Sequence, residues 1–243
     1  MKFVVEVVIY RLHQFVLHKI LNQKEKKWYN IDENKYQEEE EMFKRFFENF
    51  RKPKDNFGGR FMLKSMNKGH EKLASWGRSY INIENDYIVL DLGCGGGRNI
   101  EYFLTKAKKV YGIDHSETSV KMASEINKEA IESGRCEISL GDVRSLPFED
   151  ESIDIVTAFE TIYFWNDIEE CFKEIYRVLK KDGQFLICNE VSSMKRRDVK
   201  KLAHMIEMEV YTPYDLTRML GKLGFNFEYH LDRKQQVVFI ARK

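Results

Sequence analysis

Ile88-Val-Leu-Asp-Leu-Gly-Cys-Gly-Gly-Gly-Arg98 is an apolar run that enters a glycine-dense turn without a break. Ile88, Val89, Leu90 and Leu92 suit a parallel strand buried on both faces. Gly93, Gly95, Gly96 and Gly97 let the backbone turn sharply and approach a ligand where a Cβ would collide. From Asn99 the chain can open a helix whose free N–H groups face that ligand. Asp114 follows 21 positions after Gly93, at the end of the strand-like run Lys109-Val-Tyr-Gly-Ile-Asp114. A carboxylate there offers two acceptors to the hydroxyls of a ribose. The segment is built to hold a cofactor that contains a nucleoside.

Two residues narrow the choice of cofactor. Arg98 stands where a dinucleotide fingerprint has its third glycine, which a pyrophosphate needs for close helix approach. Asp91, two residues before the first glycine, would repel phosphate and suits a positively charged group. S-adenosylmethionine carries an ammonium, a sulfonium and a carboxylate, which matches this mix of acid and bare backbone N–H.

The stretch Val89–Arg98 resembles motif I of class I S-adenosylmethionine-dependent methyltransferases, of the small-molecule, "type 11" kind. Three further stretches agree in order and spacing: Tyr111-Gly-Ile-Asp-His-Ser116, Gly141-Asp-Val-Arg-Ser-Leu-Pro-Phe148 and Phe172-Lys-Glu-Ile-Tyr-Arg-Val-Leu-Lys-Lys-Asp-Gly183. They resemble the family's ribose-binding strand end, its adenine-binding loop, and the helix and turn before its fifth strand. The resemblance implies a Rossmann-like α/β fold, a mostly parallel sheet with helices on both faces. It implies that Asp91 orients the glycine loop and the amino group, and that Gly93 and Gly95 present backbone. Asp114 takes the ribose hydroxyls and His115 lies against the adenine or ribose. Asp142 accepts the adenine amino hydrogens, the N–H of Val143 reaches a ring nitrogen, and Phe159 belongs to the same cofactor set.

Strand–helix alternation runs from Tyr87 onward and calls for right-handed crossovers. Strands are expected over 87–91, 109–113, 136–140, 153–159 and 184–191, with helices over 98–106, 117–132 and 167–179. A further helix follows Thr212-Pro213, an N-cap with proline at the first helical position. Phe225–Leu231 and Gln236–Ala241 are joined by so short a loop that one must be antiparallel. That hairpin, with Arg98, argues against a nicotinamide-dependent oxidoreductase. A non-catalytic S-adenosylmethionine-binding partner protein is the other alternative.

Residues 81–243 are therefore expected to form the cofactor-binding domain, and residues 1–80 a helical extension or cap. Phe3–Leu21 is apolar but punctured by Glu6, Arg11, His13 and Lys19, so it is read as an amphipathic helix and not a membrane span or signal peptide. Met42, Phe43, Phe46, Phe47 and Phe50 make the buried stripe of a second helix. A third is expected over 68–80; the resemblance implies a helix here that closes over the methionine end of the cofactor, which makes Asn67, His70 and Trp76 pocket candidates, the alternative being a core aromatic at Trp76 and a surface residue at His70. The first helix packs either on the domain or on a second chain, the latter giving a homodimer through the N-terminal helices.

Lys and Arg total 40 against 39 Asp and Glu, a net charge of +1, so no global field draws nucleic acid. The four cysteines are scattered without metal-binding spacing, which fits core thiols in a reducing cytoplasm; no metal is expected. Methyl transfer at a sulfonium needs no protein nucleophile. A hydroxyl or carbon-acid acceptor needs a base, and Glu160, Tyr163 and Trp165 follow the fourth strand, with His70 as a further candidate. That strand ends in Phe-Glu-Thr-Ile where amino-group methyltransferases of nucleic acids carry Asn/Asp-Pro-Pro-aromatic. A small-molecule acceptor is expected.

Overall fold

The computed structural model describes residues 70–195 and 197–243. The two helices expected in the N-terminal region, the stripe expected from Met42 to Phe50 and Asn67 lie outside the described residues. Helix α1 (residues 70–78) precedes β1 (Ile88–Leu92), α2 (Arg98–Leu104), β2 (Lys109–Asp114), α3 (Glu117–Ile126), α4 (Lys128–Glu132) and β3 (Cys136–Leu140). Then come β4 (Ile153–Phe159), a 3₁₀ turn (Ile162–Phe164), α5 (Ile168–Val178) and β5 (Leu179–Asn189). Helices α6 (Arg197–Met205) and α7 (Pro213–Lys222) lead to β6 (Asn226–Leu231) and β7 (Val237–Arg242).

The seven strands form one sheet in the order β3-β2-β1-β4-β5-β7-β6. The first five are parallel; β7 runs antiparallel to β5, and β6 to β7. The expected hairpin is thus present and supplies both antiparallel strands. The chain builds outward through β2 and β3 on one side of β1, then restarts on the other side with β4. That reversal opens a crevice at the carboxyl ends of β1 and β4, where open α/β sheets bind ligands.

Alternation along β1 explains why its sequence is apolar throughout. Leu90 and Leu92 join Val156, Phe172, Phe185, Leu216 and Leu220 on one face of the sheet. Val89 joins Ile100, Phe103, Val110 and Ile155 on the other. A third cluster, Leu73 with Leu186, Cys188, Val238 and Ile240, seats α1 on the sheet. Trp76, partly buried, packs beside that cluster and meets Tyr80 edge-on at 5.9 Å.

Two boundaries differ from expectation. The helix read as 117–132 breaks at Asn127, whose side-chain amide donates to Gly97 O at 3.2 Å and Ala123 O at 2.9 Å. Strand β5 begins at Leu179, because Leu179 pairs with Ile153 before a register shift carries the pairing to Ile155 and Gln184. The turn residues Lys180–Gly183 are the content of that irregularity.

Candidate active site

The glycine loop is held from below. Gly93 N and Cys94 N donate to Ile113 O at 2.7 and 3.2 Å. Gly95 N donates to Asp114 Oδ2 and Ser116 N to Asp114 Oδ1, each at 2.9 Å. The Asp114 carboxylate therefore braces both the loop and the start of α3, while each oxygen keeps a lone pair for a further donor. Gly93, Gly95 and Gly97 all have left-handed φ, for different reasons. A Cβ on Gly93 would lie 2.0 Å from Thr161 Oγ1, and one on Gly97 2.7 Å from Asn127 Nδ2. A Cβ on Gly95 would meet nothing within 4 Å, the open space a ligand lying on the loop requires.

Asp91 lies directly below, 2 % exposed. It accepts a 2.6 Å hydrogen bond from Thr157 Oγ1, its register partner on β4. Burial pushes the Asp91 carboxyl up to about 7. Gly95 N of the loop reaches the Asp114 carboxylate directly, while the Asp91 carboxyl is held by Thr157. Thr157 was missed in the sequence; its signal was a hydroxyl in the otherwise apolar run Ile-Val-Thr-Ala-Phe. Arg98 does not cap the loop: its guanidinium turns outward to Glu101 at 2.6 Å.

A cleft of about 190 Å³ opens beside this loop. Gly93, Asp114, His115, Asp142 and Val143, five residues named from the sequence, line it together. Thr161, Phe164 and Trp165 form the wall on the β4 side. Arg144, not anticipated, grips Asp142 Oδ2 at 2.6 Å and Asp167 Oδ2 at 3.0 Å. Its hydrogen bonds hold the Asp142 carboxyl below the usual carboxylate range. Phe159 stands apart, packed 6.4 Å from Phe103 between the apolar clusters.

A second group gathers at the ends of β4 and β5. Glu160 adopts a left-handed φ of 59°, uncommon for a residue with a side chain. Its Oε1 accepts the N–H of Glu190 and faces Tyr163 Oη at 3.3 Å. Tyr163 Oη is fixed by Val191, accepting from its N at 2.9 Å and facing its O at 3.0 Å. His70 Nε2 stands 3.9 Å from Glu160 Oε2. Burial pushes the Glu160 carboxyl up to about 8 and the His70 imidazole down to about 4. Three of the four acceptor-side candidates read from the sequence, His70, Glu160 and Tyr163, are thus brought together and Glu190 joins them, while Trp165 lines the cleft. Glu190 left no signal beyond following a strand.

Residues 90–187 match the family model described as "Methyltransferase domain". Over these residues the chain carries a methyltransferase domain. It is 34% identical over 103 residues to the uncharacterised methyltransferase YcgJ of Bacillus subtilis, covering 42% of this chain and 40% of that protein. It is 28% identical over 162 residues to a sterol 24-C-methyltransferase of Candida albicans, covering 63% and 43% respectively. The chain thus spans less than half the length of these curated relatives. The fold is that of solved methyltransferases: a SAM-dependent methyltransferase from Aquifex aeolicus superposes with a TM-score of 0.61 at 18% identity, over 74% of this chain and 96% of that one. S-adenosylmethionine fits the residues present: an open glycine loop, a braced carboxylate at the end of β2 and acids in place of a phosphate cradle. Among the described residues no helix is long and apolar enough to cross a membrane.

Proposed function

We propose that this methyltransferase transfers a methyl group to a small-molecule acceptor lying over the end of β4. The reading is carried by the convergence of His70, Glu160, Tyr163 and Glu190 at that edge, beside the cleft that Asp114, Asp142 and Val143 line. Bound S-adenosylmethionine supplies a methyl group on a sulfonium, which an acceptor can take by in-line displacement. The chain's residues supply the rest. Asp114 holds the loop and accepts ribose hydroxyls, and Asp91 offers negative charge beneath the ammonium end. The Val143 amide faces the adenine side. Glu160, with a carboxyl raised towards neutrality by burial, takes a proton from the acceptor or binds its polar hydrogen. Tyr163 is a positioning residue, because its hydroxyl is committed to Val191 and Glu160. Residues 1–80 are assigned as a cap over this edge, and α1 is its described part.

The near-equal charge balance and the Phe-Glu-Thr-Ile strand end support a small molecule over nucleic acid. Release of S-adenosylhomocysteine on incubation with a metabolite library tests the reading. Glu160→Gln is then expected to lower turnover at least tenfold and to change S-adenosylmethionine affinity less than twofold. Equal turnover in the two proteins would return Glu160 to a structural role.

A further inference from the structure

The side chains of His70, Glu160 and Glu190 come from three separate elements: the start of α1, the residue after β4 and the residue after β5. One ligand atom of each lies within 4.8 Å of the other two. No two of them are close in sequence, so no spacing motif announces the group.

Two observations separate this cluster from an ordinary surface grouping of acids. The Glu160 side chain is only 10% exposed, and its Oε1 is already used by Glu190 N–H and Tyr163. Its Oε2 is turned the other way. His70 Nε2 stands 3.9 Å from it, too long for a hydrogen bond, and the Glu190 carboxylate lies within 4.8 Å. Two carboxylates gathered this closely, one on a side chain nine-tenths buried, repel each other unless a proton or a cation is shared between them. Second, the backbone accepts a left-handed φ at Glu160 to aim this carboxylate, a conformation that persists where the surroundings impose it and that gathers at functional sites. A ligand set of one imidazole and two carboxylates suits a divalent transition ion, which binds such atoms at about 2.0–2.2 Å. Two ligands of one ion then stand about 3–4 Å apart, the spacing already present between Nε2 and Oε2.

We propose that His70, Glu160 and Glu190 form a site for one divalent transition ion of the zinc or manganese class. Three protein ligands leave at least one coordination position for water or for an oxygen of the acceptor. The ion site shares Glu160 with the acceptor reading above, and metal titration without S-adenosylmethionine tests it separately.

The full chain, dialysed against a chelator and then against metal-free buffer, is titrated with Zn²⁺ and with Mn²⁺ by calorimetry. Metal retained after desalting is counted by mass spectrometry. One ion per chain is expected, with thermal unfolding shifted upward by the metal. Glu190→Gln and Glu160→Gln, which preserve shape, and His70→Ala should each weaken binding at least tenfold while the apo proteins still unfold cooperatively. Absence of saturable binding overturns the proposal, as does equal binding in wild type and in Glu190→Gln. Saturable binding of a methylammonium salt without binding of either metal also overturns it, in favour of a site for a cationic acceptor. S-adenosylhomocysteine release that persists without metal binding would overturn the ion site alone and leave the methyl-transfer reading standing.

Discussion

Gly93 and Gly95 share the left-handed region, yet a side chain on each would meet opposite surroundings. Alanine in that region costs about 1–2 kcal/mol for backbone reasons alone. Gly93→Ala adds a collision with Thr161, whose Cβ would lie 2.7 Å from the new methyl. It should lower the melting temperature more than Gly95→Ala does. Gly95→Ala should stay folded but bind S-adenosylmethionine at least tenfold more weakly, since the new methyl projects into open space over the loop. Melting curves and calorimetry on the two variants check this; equal affinity loss with equal stability loss would show the loop to be a plain turn. Asp91 gives a pH prediction. Its folded carboxyl titrates near 7 and its unfolded one near 3.9. Between those values the folded state holds a proton that the unfolded state has lost. Stability relative to Asp91→Asn should therefore fall as pH rises from about 4 to about 7, by at most about 1.4 kcal/mol per pH unit. Denaturant unfolding of both proteins across that range is the measurement. A cationic group bound above Asp91 would pull the titration back down, so the slope should shrink with cofactor present.

At the scale of elements, the apolar strands and the glycine loop were readable because each declares itself within ten residues. Helix α7 is the clearest case: Thr212 accepts from Asp215 N at 3.2 Å, and Asp215 Oδ2 accepts from Thr212 N at 2.9 Å. Pro213 occupies the first helical turn, as the sequence required. Thr212→Ala removes one half of this reciprocal cap at a cost of about 1 kcal/mol. In a chain of this size that is a melting-temperature drop of roughly 2–4 °C. A change under 1 °C would mean that burial of Leu216, Met219 and Leu220 alone fixes the helix. The two boundaries that sequence reading misplaced have tertiary causes. Asn127 stops α3 to secure the carbonyl of Gly97, 30 positions away. Leu179 becomes strand because Ile153 lies beside it. Neither partner is visible from local periodicity. The same limit hid Arg144, whose role depends on Asp142 and Asp167 meeting across two loops.

For the whole molecule, the sheet order brings Gly93, Asp114, His115, Asp142 and Val143 together at the carboxyl ends of β1, β2 and β3, and folding and ligand binding are coupled through that edge. Gly95, Ser116 and Asp114 come from two loops and a strand end, joined by one carboxylate. A ligand that bridges them binds the folded state alone. At a concentration one hundred times its dissociation constant, S-adenosylhomocysteine should then add about 2.7 kcal/mol to stability, a rise in melting temperature of roughly 5–11 °C. Asp114→Ala removes both the ribose acceptor and the brace, so two separate losses are expected. The apo protein should melt lower, because Gly95 and Ser116 lose their partner, and the ligand-induced rise at the same concentration should nearly vanish. Asp114→Asn keeps one acceptor oxygen and should sit between the two. An unchanged ligand-induced rise in Asp114→Ala would show that the nucleoside is held elsewhere, and would move the search to the wall formed by Thr161, Phe164 and Trp165.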